Sequence, residues 1–242
     1  MINYIALILT TIAGFSTILG CCLIFIPFKN KDKVLSFGFG MAFVVMFLVS
    51  ILDLIPNGLN YVLYKYNKVE LFTLTFILGI FGLLIVNYLN KNIKTDVELY
   101  RVGVLCMLAI MIHNIPEGMI TSLCTFSDID LGFKMSFLIM LHNIPEGISI
   151  SLPIYYSTGS KFKAVFYTFI SGLGEIIGAL ITILFLKPFI TNLLLYILFI
   201  VTAGIMIYIS IFEIFIEGFK YKKYLWFSLG IIFGGIILLL TL

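Results

Sequence analysis

The chain has two histidines, and both open the same hexapeptide, His-Asn-Ile-Pro-Glu-Gly, at His113 to Gly118 and again at His142 to Gly147. Each copy lies inside a long apolar stretch, where an imidazole and a carboxylate are costly to bury unless they find partners. Doing this twice at one spacing points to a bound cation. His113 and Glu117, like His142 and Glu146, stand four residues apart, so each pair projects from one face of its helix and can grip an ion together. Asn114 and Asn143 follow about a quarter turn round, placed either to serve a second ion or to orient the carboxylates. Imidazole nitrogen with carboxylate oxygen suits zinc, iron, manganese or cobalt, whereas magnesium and calcium favour an all-oxygen shell.

Pro116 and Pro145 fall between His and Glu in both copies. Each lacks an N–H and frees the carbonyl four residues earlier, at Ile112 and Leu141, and is expected to kink its helix at the ligand level. Gly118 and Gly147 then let a neighbouring helix come close. The turn at Asp128 to Asp130 lies midway between the motifs. The two helices therefore run antiparallel and present their motifs at one depth, related by a local two-fold axis, which is a geometry for two ions side by side.

Three more acids fall inside apolar segments. Glu175, in Ser171-Gly172-Leu173-Gly174-Glu175-Ile176-Ile177-Gly178, is expected to close the site from a third helix. Asp53, toward the outer end of the second segment, and Glu213, toward the inner end of the seventh, read as way-stations along a pathway. No lysine or arginine lies in the segment interiors to neutralise any of the five acids, which again calls for a cation.

The elements that must position these residues follow from composition. Of 242 residues, 62% are hydrophobic and 11% charged, and the mean hydropathy is +1.18, which excludes a soluble domain of this size and makes the bilayer the solvent. Polar clusters divide the chain into eight apolar segments, about 4–28, 34–63, 70–90, 99–124, 131–153, 162–186, 190–217 and 222–242, each near or above spanning length. The first reads as a spanning helix and not as a removed leader. Lys29, Lys31, Lys33, Lys91, Lys94, Arg101, Lys161, Lys163, Lys220, Lys222 and Lys223 fall in one set of loops, against Lys65, Lys68, Lys134 and Lys187 in the other, which places both termini outside. The expectation is an all-α integral membrane protein, one eight-span domain over 1–242. No basic helix face or aromatic-basic patch supports nucleic-acid binding. Cys21, Cys22, Cys106 and Cys124 form no C-x-x-C and read as small buried hydrophobes. Gly230 and Gly234 could pack two helices closely, within the chain rather than between copies.

HNIPEG in the fourth segment, LHNIPEGISI in the fifth, SGLGEIIGA in the sixth and the acid of SIFEIF in the seventh resemble the ZIP (Zrt/Irt-like) metal transporters, and within them the bacterial ZupT-like branch. The resemblance covers essentially the whole chain. It implies eight transmembrane helices with spans 1–3 and 6–8 as inverted repeats around spans 4–5, a homodimer, a multi-pass place in the cell (inner) membrane, and uptake of zinc, iron, manganese or cobalt into the cytoplasm. The metal is then cargo and no resident cofactor is implied. By position His113, Glu117, His142 and Glu146 resemble one metal site, and Asn114, Glu117, Asn143, Glu146 and Glu175 its neighbour. The chain departs from many members in having no histidine in the loop from Lys91 to Glu98, so metal sensing there is not expected, and in following Glu146 with Gly147 and Ile148 instead of a second histidine. The alternative class is an intramembrane metalloenzyme. H-E-x-x-H is absent, and di-iron bundles use Glu-x-x-His, whereas here His precedes Glu by four.

Overall fold

The computed structural model describes residues 2–186 and 191–239. Among the described residues there are eight helices: α1 (Ile2–Phe25), α2 (Lys31–Asn60), α3 (Lys68–Asn92), α4 (Glu98–Ser127), α5 (Ile129–Thr158), α6 (Lys161–Phe185), α7 (Asn192–Lys220) and α8 (Tyr224–Leu239). The first seven are long and apolar enough to cross a bilayer, and the described part of α8 is shorter. Together they make an all-α integral membrane protein. The last three residues of the eighth segment, the first of the seventh, and Lys187 lie outside the described residues.

Polar residues cut the apolar chain into rods by capping them. Asn30 accepts from the Lys33 N–H at the start of α2, Asn67 forms a capping box with Glu70 at α3, and Asp128, Ser160 and Thr191 cap α5, α6 and α7. Each satisfies a backbone N–H that the first turn of its helix leaves without an intrahelical partner. Helices α4 and α5 extend further than the apolar segments, 30 residues each, so that only Asp128 separates them.

Around this antiparallel hairpin the other helices pack in matched pairs. Helix α1 lies against α5 as α6 lies against α4, and α2 packs on α8 as α7 packs on α3. Exchanging the first three helices with the last three therefore preserves the contacts. Backbone irregularity follows the same exchange. α1 tightens to a 3₁₀ helix over Thr17–Phe25, and α2, α6 and α7 widen into π turns at Ser50–Leu54, Thr182–Leu186 and Ile209–Phe215. The prolines do not break their helices: α4 and α5 run through Pro116 and Pro145 uninterrupted. The irregular turns lie instead on the flanking helices, two of them at Asp53 and Glu213.

Gly118 and Gly147 set the close approach. A methyl at Gly118 would run into the Glu175 carbonyl of α6, and one at Gly147 into the Thr17 carbonyl of α1. Gly230 and Gly234 pack on the Phe37 to Val44 stretch of α2, within the chain as expected. Cys21 and Cys106 are buried, but Cys22 faces outward, because it follows Cys21 on a helix with one face on the bundle and one toward lipid. Helix α3 is mostly outward-facing too, with Phe72, Phe76 and Tyr88 exposed.

Three contacts gather the lysine-rich loops at one end of the bundle. Lys33 lies over the Trp226 ring, Lys161 over the Phe25 ring, and Lys220 reaches Glu98.

Candidate metal site

The histidines and glutamates of the two hexapeptides meet across the α4–α5 hairpin. His113 Nε2 lies 3.2 Å from Glu146 Oε1, and His142 Nε2 lies 3.3 Å from Glu117 Oε1. The sequence pairs His and Glu along one helix, yet the tertiary structure brings each histidine nearest to the glutamate of the opposite helix. The reason is the register of the hairpin. Both pairs straddle the same midpoint in the first turn of α5, so antiparallel helices at equal depth set His113 level with Glu146 and Glu117 level with His142.

The asparagines reach outward to flanking backbone. Asn114 Nδ2 donates to the Ser171 carbonyl of α6 at 3.1 Å, and Asn143 Nδ2 donates to the Ala13 carbonyl of α1 at 2.9 Å. Asn143 also donates to Glu175 Oε1. Glu175 thus joins the site from α6, as the sequence leads one to expect. Its counterpart on α1 under the helix exchange is Thr17, which carries no charge, so the site is two-fold in its helices and lopsided in its acids.

Buried polar atoms without a hydrogen-bond partner are costly. Among the described residues such side-chain atoms are His113 Nδ1 and Nε2, Asn114 Oδ1, Glu117 Oε2, His142 Nε2, Asn143 Oδ1, both oxygens of Glu146, and Glu175 Oε2. All belong to the seven residues singled out from the sequence. Each asparagine has its NH₂ anchored and its oxygen free, the orientation that presents an acceptor to a cation. Among the described residues no three His, Cys, Asp or Glu side chains converge into a closed coordination shell. The donors stand as two His–Glu pairs with Glu175 alongside.

Access to this layer differs at its two ends. A narrow cleft of about 90 Å³ runs from Asp53 and Asn57, past Met135 and Ile139, to His142. Asn57 donates to Asp53 Oδ1 at 2.7 Å at its mouth. His142 is 8% exposed and His113 0%. Toward the lysine-rich end, Cys106 and Ile110 of α4 and Ile150 and Ile154 of α5 are all fully buried and fill the space beyond the His–Glu pairs.

Past that plug the structure corrects the sequence reading. Glu213 is not an unpaired acid. Arg101 Nη2 lies 2.9 Å from Glu213 Oε2, with the glutamate side chain only 4% exposed. Asn90 Nδ2 donates to Glu213 Oε1 at 2.7 Å and accepts from Arg101 Nη1 through its own oxygen. Arg101 also holds Glu98 at 2.8 Å, and Lys220 holds Glu217 at 2.6 Å. Arg101 counts as a loop residue by its place in the chain, but it occupies the first turn of α4, and its long side chain reaches inward to α7. Asn90 and Arg101 carry no motif; the one signal in the sequence is an arginine a single turn into a spanning helix.

With this geometry in place, comparison with known proteins decides the family. The ZIP Zinc transporter model matches residues 90–242. The chain belongs to the ZIP family. It is 32% identical to the zinc transporter ZupT of Oceanobacillus iheyensis, over 98% of this chain and 97% of the relative. It is 34% identical to that of Campylobacter jejuni subsp. jejuni, over 99% and 96%, and 32% identical to that of Streptococcus mutans, over 99% and 97%. ZIP proteins are transporters, so this chain is a metal transporter and not an intramembrane metalloenzyme, and the metal is its cargo.

Proposed function

We propose that this ZIP chain carries a divalent transition-metal ion, zinc foremost with iron, manganese and cobalt also admitted, across the cell membrane into the cytoplasm. We assign its hold on the ion to His113, Asn114, Glu117, His142, Asn143, Glu146 and Glu175, as two adjoining sites with Glu117 and Glu146 between them. The observation that carries this reading is the set of orphaned buried nitrogen and oxygen atoms, all of which fall on these seven residues. A cation would satisfy them together, and the imidazole nitrogens favour a borderline-soft ion.

The lysine-rich end is assigned to the cytoplasm by the positive-inside rule, with both termini outside. The ion would then approach along the Asp53 cleft and meet His142 first. On the far side the aliphatic plug and the Arg101–Glu213 pair stand between the site and the cytoplasm, so Glu213 serves an outgoing ion only once it parts from Arg101. Rocking of one repeat against the other about a fixed midplane site supplies such a movement. Purified protein in proteoliposomes tests the reading: zinc uptake should saturate, be competed by iron, manganese and cobalt, and fall to background in Glu117→Ala and Glu146→Ala that fold normally. Undiminished uptake by either variant would refute the assignment.

A further inference from the structure

At the lysine-rich end a second, unrelated feature faces the lipid. A cleft of about 390 Å³ opens between the end of α1 and the starts of α2 and α8. Leu23, Val34 and Phe37 make its apolar walls, and Lys29, Lys33 and Trp226 its rim. Lys33 Nζ lies 5.2 Å from the centre of the Trp226 ring, a cation–π distance that ties α2 to α8 across the cleft. No carboxylate among the described residues forms an ion pair with Lys29 or Lys33, although Asp32 lies between them in sequence.

An apolar trough with an uncompensated positive rim matches one kind of membrane molecule. We propose that this cleft binds a single anionic phospholipid, with an acyl chain lying along Leu23, Val34 and Phe37 and its headgroup phosphate between Lys29 and Lys33. A zwitterionic lipid fits the trough equally well but offers the lysines no net charge. The occupant is therefore a lipid and not free phosphate, since most of the cleft is apolar wall. The assignment does not depend on the ligands of the transported metal. Its consequence is that an anionic lipid clamps α1, α2 and α8 together at the end of the bundle where Arg101 and Glu213 join α4 to α7.

Trp226 is the single tryptophan of the chain, so its fluorescence reports occupancy directly. The purified protein in detergent micelles is titrated with phosphatidylglycerol or phosphatidylcholine carrying brominated acyl chains, which quench tryptophan on contact. Half-quenching by the anionic lipid should come at roughly 30-fold lower mole fraction, the preference expected from two lysines beside one anionic headgroup. Lys29→Gln/Lys33→Gln should bring the two curves together, while Lys91→Gln/Lys94→Gln, which removes two lysines from another loop at the same end, should leave them apart. Coincident curves for the unaltered protein would overturn the proposal. So would equal loss of preference in both double variants, which would mean only a diffuse attraction to the positive end, or relief of quenching by millimolar inorganic phosphate.

Discussion

Replacing Arg101 by glutamine leaves Glu213 buried at 4% exposure with Asn90 as its remaining partner. Removing one partner of a buried ion pair costs about 3–5 kcal/mol, because the other charge stays desolvated. Here the cost has a ceiling, since the carboxylate can take up a proton. Measured against the unfolded chain, where a glutamate titrates at about 4.3, holding the side chain protonated at pH 7 costs about 3.7 kcal/mol, at about 1.36 kcal/mol for each pH unit. The deficit of Arg101→Gln should therefore approach 3–4 kcal/mol at pH 7 and shrink to about 1 kcal/mol at pH 5. Glu213→Gln should cost much less, because Arg101 is 18% exposed and keeps Glu98 at 2.8 Å. The double variant should regain most of what Arg101→Gln loses. Thermal melting of the four proteins in detergent between pH 5 and pH 8 measures this directly. If Arg101→Gln and the double variant melt alike at every pH, the pair does not stabilise the closed end of the bundle and the reasoning fails.

Four further outcomes follow from the site. Gly118→Ala puts a methyl into the Glu175 carbonyl; overpacking of this kind costs about 1–3 kcal/mol, and it should abolish uptake by pushing α6 away from the ligands, as seen in metal binding by calorimetry. Glu175→Gln keeps the shape and a contact to Asn143 but removes a charge from the lopsided half of the site, so metal affinity should fall by about 10–100-fold with melting unchanged. Asp53→Asn should raise the KM for zinc uptake several-fold and flatten its dependence on salt, with kcat little altered, because the residue lies at the mouth of the cleft and steers the ion. Modification with diethylpyrocarbonate should reach His142 well before His113, since the first lines the cleft and the second is fully buried; equal rates, read by mass spectrometry, would contradict the closed side assigned here.

Sequence alone determined the solvent, the number of apolar segments and the seven buried polar residues on which the proposed site rests. These are local properties. Hydropathy is additive along the chain, and a repeated hexapeptide about a central turn can only place its copies level on antiparallel helices. The same information revealed Glu175, because an acid among glycines in an apolar helix has few structural uses. What only the tertiary structure decided depends on distances between residues far apart in the chain. Which histidine faces which glutamate is fixed by hairpin register, and the opposite helix proved nearer than the i, i+4 neighbour. The neutral partner of Glu175 at Thr17 emerges only when α1 and α6 are set against the hairpin. Arg101 looked like a loop charge because position along a chain says nothing of side-chain reach; its guanidinium extends to Glu213, more than a hundred residues away. The contrast between an open cleft at Asp53 and a packed plug at Ile110 and Ile150 is likewise invisible in sequence, because closure is a property of how eight helices lean together and not of any one of them.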